Sequence, residues 1–246
     1  MGTAQRGYML LLEESSKLLA RIDSGENLTF VRYGDGEVLL ACGQPVGKHT
    51  QAALVDRWHS DGGMTSLGYA MRLMLTHPEW VYGIPCQCCN DGLKKSLLSM
   101  MENIPSVNIT FANMFVNAAF PNFERWVKSI TRSVVLVTNV AGKNRNFPFK
   151  VDAHLLLPDD CVSQWEYQAQ HMINVAEHLA RSFTNTLFLF SGGPLKVLLH
   201  YMYEANPRNV YLDVGSAIDQ WVHGRQTRPY HNRAGGSPYT NRNCLF

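Results

Sequence analysis

"TFVRYGDGE" (residues 29–37) carries two signals side by side. Thr29, Phe30 and Val31 are β-branched or aromatic, the composition of a buried strand. The run then breaks at Gly34-Asp35-Gly36-Glu37 and resumes as Val38, Leu39 and Leu40. Glycine frees the backbone to bend, so carboxylates two residues apart can turn toward one point. Two hard oxygen donors suit Mg²⁺ or Mn²⁺, which take substrate phosphates as further ligands. Arg32, just before the hinge, is placed to hold a phosphate or brace a carboxylate. The same residues also compose an ordinary solvated Asp-Gly turn. Spacing alone leaves both readings open.

Working outward, strand-like and helix-like segments alternate. Strands are expected at residues 27–33, 80–85, 107–112, 133–140, 186–193 and 209–215. Helical periodicity covers 3–22, 51–59, 64–76, 91–104, 122–130, 160–183, 194–206 and 216–222, with Asp91 as the N-cap of its helix. "SVVLVTNV" is a continuous apolar run, as in a strand buried on both faces. This alternation predicts an α/β fold, Rossmann-like, with a mainly parallel sheet and helices on both faces. No linker interrupts it, so residues 1–246 read as one domain with an irregular basic tail from about 225, standing alone or within a longer protein. In such sheets ligands bind beyond the carboxyl ends of the strands. That directs attention to the loops Gly34–Glu37, Pro85–Asn90, Asn113–Asn117, Asn139–Asn144, Ser191–Pro194 and Gly215–Asp219.

Hydrophobic residues are 46% and charged residues 17%, enough for a large core and against a disordered chain. A net charge of +2 gives no global field for nucleic acid, and no nucleic-acid partner is expected. Cysteines 86, 88 and 89 crowd into "PCQCC", poor spacing for a disulfide framework and without a second Cys/His pair for zinc. No signal peptide or membrane-length apolar run is read, so a reducing, cytoplasmic location is expected.

Two later stretches complete the candidate site. In "FLFSGGPLKVLL", Ser191, Gly192 and Gly193 end a strand and Pro194 opens a helix, a turn whose backbone N–H groups can cradle phosphate. In "LDVGSAIDQWVHGRQTRPYH", Asp213 ends a strand and Asp219 begins a helix. Arg228 can reach a diphosphate and His231 can be a third metal ligand. A plain turn and a solvated tail are the alternative readings.

"FVRYGDGE", "NMFVNAAFPNF", "SGGPLKVLLHYMY" and "YLDVGSAID", in this order, resemble the GT-D family of glycosyltransferases, long catalogued as a domain of unknown function. The resemblance spans most of the chain, and the R-[FY]-G-D-G-E string is its most specific piece. It implies transfer of a sugar, glucose or a deoxyhexose such as rhamnose, from a nucleotide donor, usually a UDP-sugar, to a glycan or glycoprotein acceptor. It implies that Asp35 and Glu37 hold Mn²⁺ or Mg²⁺ against the donor diphosphate. Arg32, Tyr33, Gly34, Gly36, Ser191, Gly192, Gly193, Asp213 and Arg228 are the expected donor-site residues. Tyr33 and Phe115 are candidates for stacking on the base or sugar. After Gly215 the chain has Ser216-Ala217-Ile218-Asp219 where the family continues with a histidine, so the base is sought in Asp219 or Asp61. The same carboxylates would also serve a metal-dependent hydrolase, or a nucleotide-sugar-binding module without catalysis.

Overall fold

The computed structural model describes residues 3–47 and 58–231. The helix expected at 51–59 and the tail beyond His231 fall mostly outside them. Seven strands form one sheet: β1 Thr29–Arg32, β2 Val81–Ile84, β3 Ile109–Phe111, β4 Val134–Asn139, β5 Ala153–Leu157, β6 Leu187–Ser191 and β7 Val210–Asp213. Their order is β3-β2-β1-β7-β6-β4-β5 and every pairing is parallel. The helices are α1 Thr3–Asp23, α2 Asp35–Ala41, α3 Ser66–Leu73, α4 Gln87–Leu98, α5 Phe120–Ser129, α6 Cys161–Ser182, α7 Leu198–Ala205 and α8 Asp219–Val222.

The period-2 geometry of a strand sorts its side chains to two faces. In β6, Leu187 and Leu189 enter one core while Phe188 and Phe190 enter the other. In β4, Val134 and Leu136 separate from Val135 and Val137 in the same way. Helices α1 and α5 close the first core; α2, α3, α4, α6 and α7 close the second. Burial on both faces is why these strands read as unbroken apolar runs.

Two local expectations change. β5 was not expected from the sequence. It lies at the sheet edge with four of its five residues only partly buried, and its short apolar run, interrupted by His154, shows no alternation to mark it as a strand. Helix α4 begins at Gln87 rather than 91 and breaks at Asn90 (φ −161°, ψ 89°). Asn90 Oδ1 accepts from the Leu93 N–H at 3.1 Å, so Asn90 and not Asp91 caps the continuing helix.

The strand order creates the crevice. β1, β2 and β3 step outward on one side, whereas β7 returns from the other half to dock beside β1. The segment after β1 turns onto one face, with Val38, Leu40 and Ala41 in the second core. The segment after β7 turns onto the opposite face, with Ala217, Ile218 and Val222 in the first. Chains leaving in opposite directions leave a gap above the strand ends, the topological switch point of open α/β sheets.

Phe188 is fully buried, with its ring 5.0 Å from that of Tyr211. Phe188→Ala is expected to lower the unfolding free energy by about 3–5 kcal/mol. Tyr167→Ala, at a residue 84% exposed, should change it by no more than about 0.5 kcal/mol. Urea denaturation of both variants measures the difference.

Candidate active-site cleft

A cleft of ≈ 960 Å³ opens at the switch point. Its walls come from the ends of β1, β6 and β7, which are sheet neighbours although 150 or more residues separate the first from the others. Arg32, Gly34, Asp35, Gly36, Glu37, Ser191, Gly192, Gly193, Asp219 and Arg228 all line it. The far wall is the loop after β5, from Leu157 to Asp160.

The floor of the cleft holds a buried ammonium. Lys196 follows the Gly192-Gly193-Pro194 turn, and its side chain is 3% exposed. Its Nζ donates to Asp213 Oδ2 at 2.6 Å and to the Arg32 carbonyl at 2.7 Å, and sits 3.0 Å from Glu37 Oε1. Asp213 in turn accepts the Arg32 N–H (3.0 Å) and the Gly215 N–H (3.0 Å). A buried ammonium is tolerated only when paired and hydrogen-bonded, and here the ends of β1 and β7 and the first turn of α2 supply the partners. Sequence reading passed over Lys196. The available signal was a lone cation in the apolar stretch "PLKVLL", which has to find acidic partners if that helix is buried.

Asp35 and Glu37 share the first turn of α2 but have different surroundings. Burial alone would raise the Glu37 carboxyl; the Lys196 ammonium, its hydrogen bond and Arg32 outweigh that, and the net shift is downward. Asp35 is open to solvent within the cleft and has no cationic partner among the described residues. Desolvation by the walls, then repulsion from Glu37, pushes its pKa up. Gly34 makes room for this turn, since a Cβ there would lie 2.8 Å from Glu37 Oε2.

The Arg32 guanidinium donates to the Val214 carbonyl at 2.9 Å, while its buried Nε has no hydrogen-bond partner. Gly215 (φ +50°) permits this placement, because a side chain there would strike the guanidinium. Arg228 is only 7% exposed and pairs through Nε with Asp219 Oδ2 at 3.4 Å, so it is no part of a solvated tail. Asp219 also accepts from Ser191 Oγ and Thr227 Oγ1, both at 3.3 Å.

Several expected site residues stand elsewhere. Tyr33 is fully buried and donates its hydroxyl to the Met71 carbonyl at 2.6 Å, so it cannot stack on a nucleotide. Phe115 is likewise core, packed on Phe30 and Phe123. Asp213 lies under the cleft rather than on its lining. Asp61 is exposed on a loop and does not line the cleft. His231 is 3% exposed, packed between Phe120 and Tyr230 and off the lining. Neither ring nitrogen has a partner of good hydrogen-bond geometry, although the Ser216 backbone weakly favours the protonated ring. Burial, then the Arg228 charge, pushes its pKa down to about 4. It does not meet Asp35 and Glu37 as a third ligand: among the described residues one group of three metal-ligand types converges within 4.8 Å, and that group is His77, His200 and Glu204.

Two solved structures share this fold along the full chain. One is described as "The highly conserved domain of unknown function 1792 has a distinct glycosyltransferase fold". It is 15% identical, with a TM-score of 0.55 over 99% of this chain and 95% of that one. The second, a selenomethionine-substituted structure of the same domain, is 15% identical with a TM-score of 0.53 over 100% and 95%. No family model and no curated protein matches the sequence. The chain therefore has a glycosyltransferase fold, the GT-D type that "RYGDGE" resembles.

Lys196→Met would leave Glu37 and Asp213 as buried, unpaired carboxylates. A loss of about 3–5 kcal/mol in unfolding free energy is expected, the range for removing one partner of a buried pair. The two first-turn carboxylates should also titrate with opposite effect. Glu37 has a lowered folded pKa, so its contribution is present above its ordinary 4.5 and lost as pH falls through the lowered value. Asp35 has a raised folded pKa, so its ionised form costs stability once pH rises above its ordinary 3.8. In metal-free buffer Asp35→Asn should therefore raise Tm at neutral pH, with the gain vanishing below that value. Thermal melts across the pH range test both signs.

Proposed function

We propose that the protein is a metal-dependent glycosyltransferase that moves a hexose, glucose or a deoxyhexose such as rhamnose, from a UDP-sugar to a glycan acceptor. One observation carries the reading: a carboxylate disfavoured by its surroundings and with no cationic partner among the described residues, Asp35, stands beside Glu37 and Arg32 at the switch point of a glycosyltransferase fold. The donor set fits Mn²⁺ or Mg²⁺, since both carboxylates are hard oxygen ligands and a cation would offset the desolvation and the Glu37 repulsion that raise the Asp35 pKa. When bound, such an ion neutralises charge growing on the leaving diphosphate.

The chain's own groups do the rest. Glu37 is held in place by Lys196, so its carboxylate costs little to orient. Arg32, with an unpartnered buried Nε, and Arg228 supply positive charge toward the diphosphate. The Ser191-Gly192-Gly193 turn offers the phosphates backbone with no side chain at its two glycines, and a Cβ on Gly192 would strike Leu157 Cδ1 at 2.3 Å. Asp219, a cleft carboxylate oriented by Ser191, Thr227 and Arg228, is assigned to take the acceptor hydroxyl's proton; Asp159 and Asp160 stand on the far wall. The cleft volume is at the upper end of the ~300–1,000 Å³ range of ligand pockets, enough for a nucleotide sugar.

Thermal-shift titration with UDP, GDP and TDP sugars, each with Mn²⁺ or EDTA, is the test. Selective, Mn²⁺-dependent stabilisation by a UDP-sugar is expected, followed by transfer to a glycan acceptor. Asp35→Asn should keep the fold and lose transfer by at least about 100-fold, the scale of one electrostatic group acting in the transition state. Hydrolysis without transfer to any acceptor would favour a hydrolase, and full turnover in EDTA would remove the metal from the reading.

A further inference from the structure

The group His77, His200 and Glu204 lies at the other end of the sheet. His77 precedes β2, and Glu204 is near the end of α7, where the chain turns toward the start of β7. None of the three lines the cleft. From His77, His200, Glu204 and the orienting residue Glu79 we infer a second metal site, built for Zn²⁺ and independent of the sugar-transfer site.

The donor chemistry selects the ion. Two imidazoles and one carboxylate are a set that zinc accepts with water in the fourth position. Mg²⁺ and Ca²⁺ prefer all-oxygen shells and are disfavoured by two nitrogen donors. His200 and Glu204 are four residues apart on α7 and share a face of that helix. His77 approaches from the turn that follows α3.

The spacing is close to what an ion needs. His77 Nε2 is 2.8 Å from His200 Nδ1 and 3.8 Å from Glu204 Oε1. Ligand atoms ~2.0–2.1 Å from a tetrahedral ion stand about 3.3 Å apart, so the two separations bracket the required one. All three ligand atoms lie within 4.8 Å of one another, so side-chain adjustment alone closes the site.

The arrangement behind His77 is that of a ligand held for a metal. Its Nδ1 faces Glu79 Oε1 at 3.3 Å, which fixes that nitrogen as the N–H donor and turns Nε2 toward the group. The ring is stacked on Trp80 (centroids 4.1 Å, interplanar angle 6°) and its side chain is 9% exposed. Glu204, by contrast, is 58% exposed, giving an ion an entry path. With no ion, the His200 Nδ1–H donates to His77 Nε2. On binding, His200 moves that proton to its Nε2, so both rings stay neutral and both facing nitrogens become ligands. The ion would cross-link α7 to the turn before β2, coupling zinc to stability rather than to sugar transfer.

The experiment is calorimetric titration of ZnCl₂ into the full chain under reducing conditions, with MgCl₂ as control and Co²⁺ absorption as an independent readout. One zinc per chain is expected, with a rise in Tm, no response to Mg²⁺ and a four-coordinate nitrogen/oxygen Co²⁺ spectrum. Glu204→Gln, at an exposed position that leaves the fold intact, should weaken binding at least about 10-fold. Glu79→Ala, which touches no metal, should weaken it about 10–100-fold through loss of the orienting contact. Asp35→Ala should leave zinc affinity unchanged, which separates this site from the cleft. No zinc binding by the parent overturns the inference. So does binding that neither Glu204→Gln nor Glu79→Ala alters, which would place the metal elsewhere, for instance on the cysteines of "PCQCC".

Discussion

The Lys196 ammonium ties the cleft together. It sits almost out of solvent between Glu37, Asp213 and the Arg32 carbonyl, and those three partners end two neighbouring strands and begin the helix beside them. Lys196 itself hangs from the turn that follows β6. A charge in such surroundings is desolvated at considerable cost, offset only while every partner keeps its position. The ends of β1, β6 and β7 are therefore held in one mutual geometry, and the shape of the crevice above them follows from it.

The same ion pair divides the labour between the two carboxylates of "YGDGE". Glu37 is compensated from below and stays ionised; Asp35 faces the cleft with repulsion unrelieved. Positive groups stand around them without neutralising Asp35: Arg32 is turned toward Val214 and Arg228 is engaged by Asp219. The cleft thus holds separated charges of both signs, which is what a nucleoside diphosphate and its counter-ion require. The imidazoles at the opposite end of the sheet belong to a different chemistry, softer donors gathered by a stacked tryptophan and an outer carboxylate.

Much of the fold was legible because parallel strands buried on both faces leave long apolar runs, and six of the seven strands announce themselves that way. β5 did not, since Ala-His-Leu-Leu-Leu is a short run with neither alternation nor β-branched residues, ambiguous between strand and helix. Its omission hid the Leu157–Asp160 wall of the cleft. Of the site, glycines and carboxylates at strand ends were readable from spacing and from family likeness. Tyr33 was misplaced because strand alternation sends it into the core, where its hydroxyl is satisfied by Met71. His231 and Arg228 lie in what looked like a polar tail, and only packing against Phe120 and pairing with Asp219 show that both are buried.

The sequence by itself determined the alternation of strand and helix, the parallel α/β class and the hinge at Gly34–Glu37, because periodicity and backbone freedom are local properties. Tertiary structure decided which strand ends become neighbours, and so that Asp35 and Glu37 meet Ser191, Asp219 and Arg228 around one cleft. It also decided that Lys196 neutralises one carboxylate of the pair and leaves the other, and that His77 meets His200 across 123 residues of chain. Those outcomes depend on strand order and on which charges lose their water together, and neither is written in any short stretch of residues.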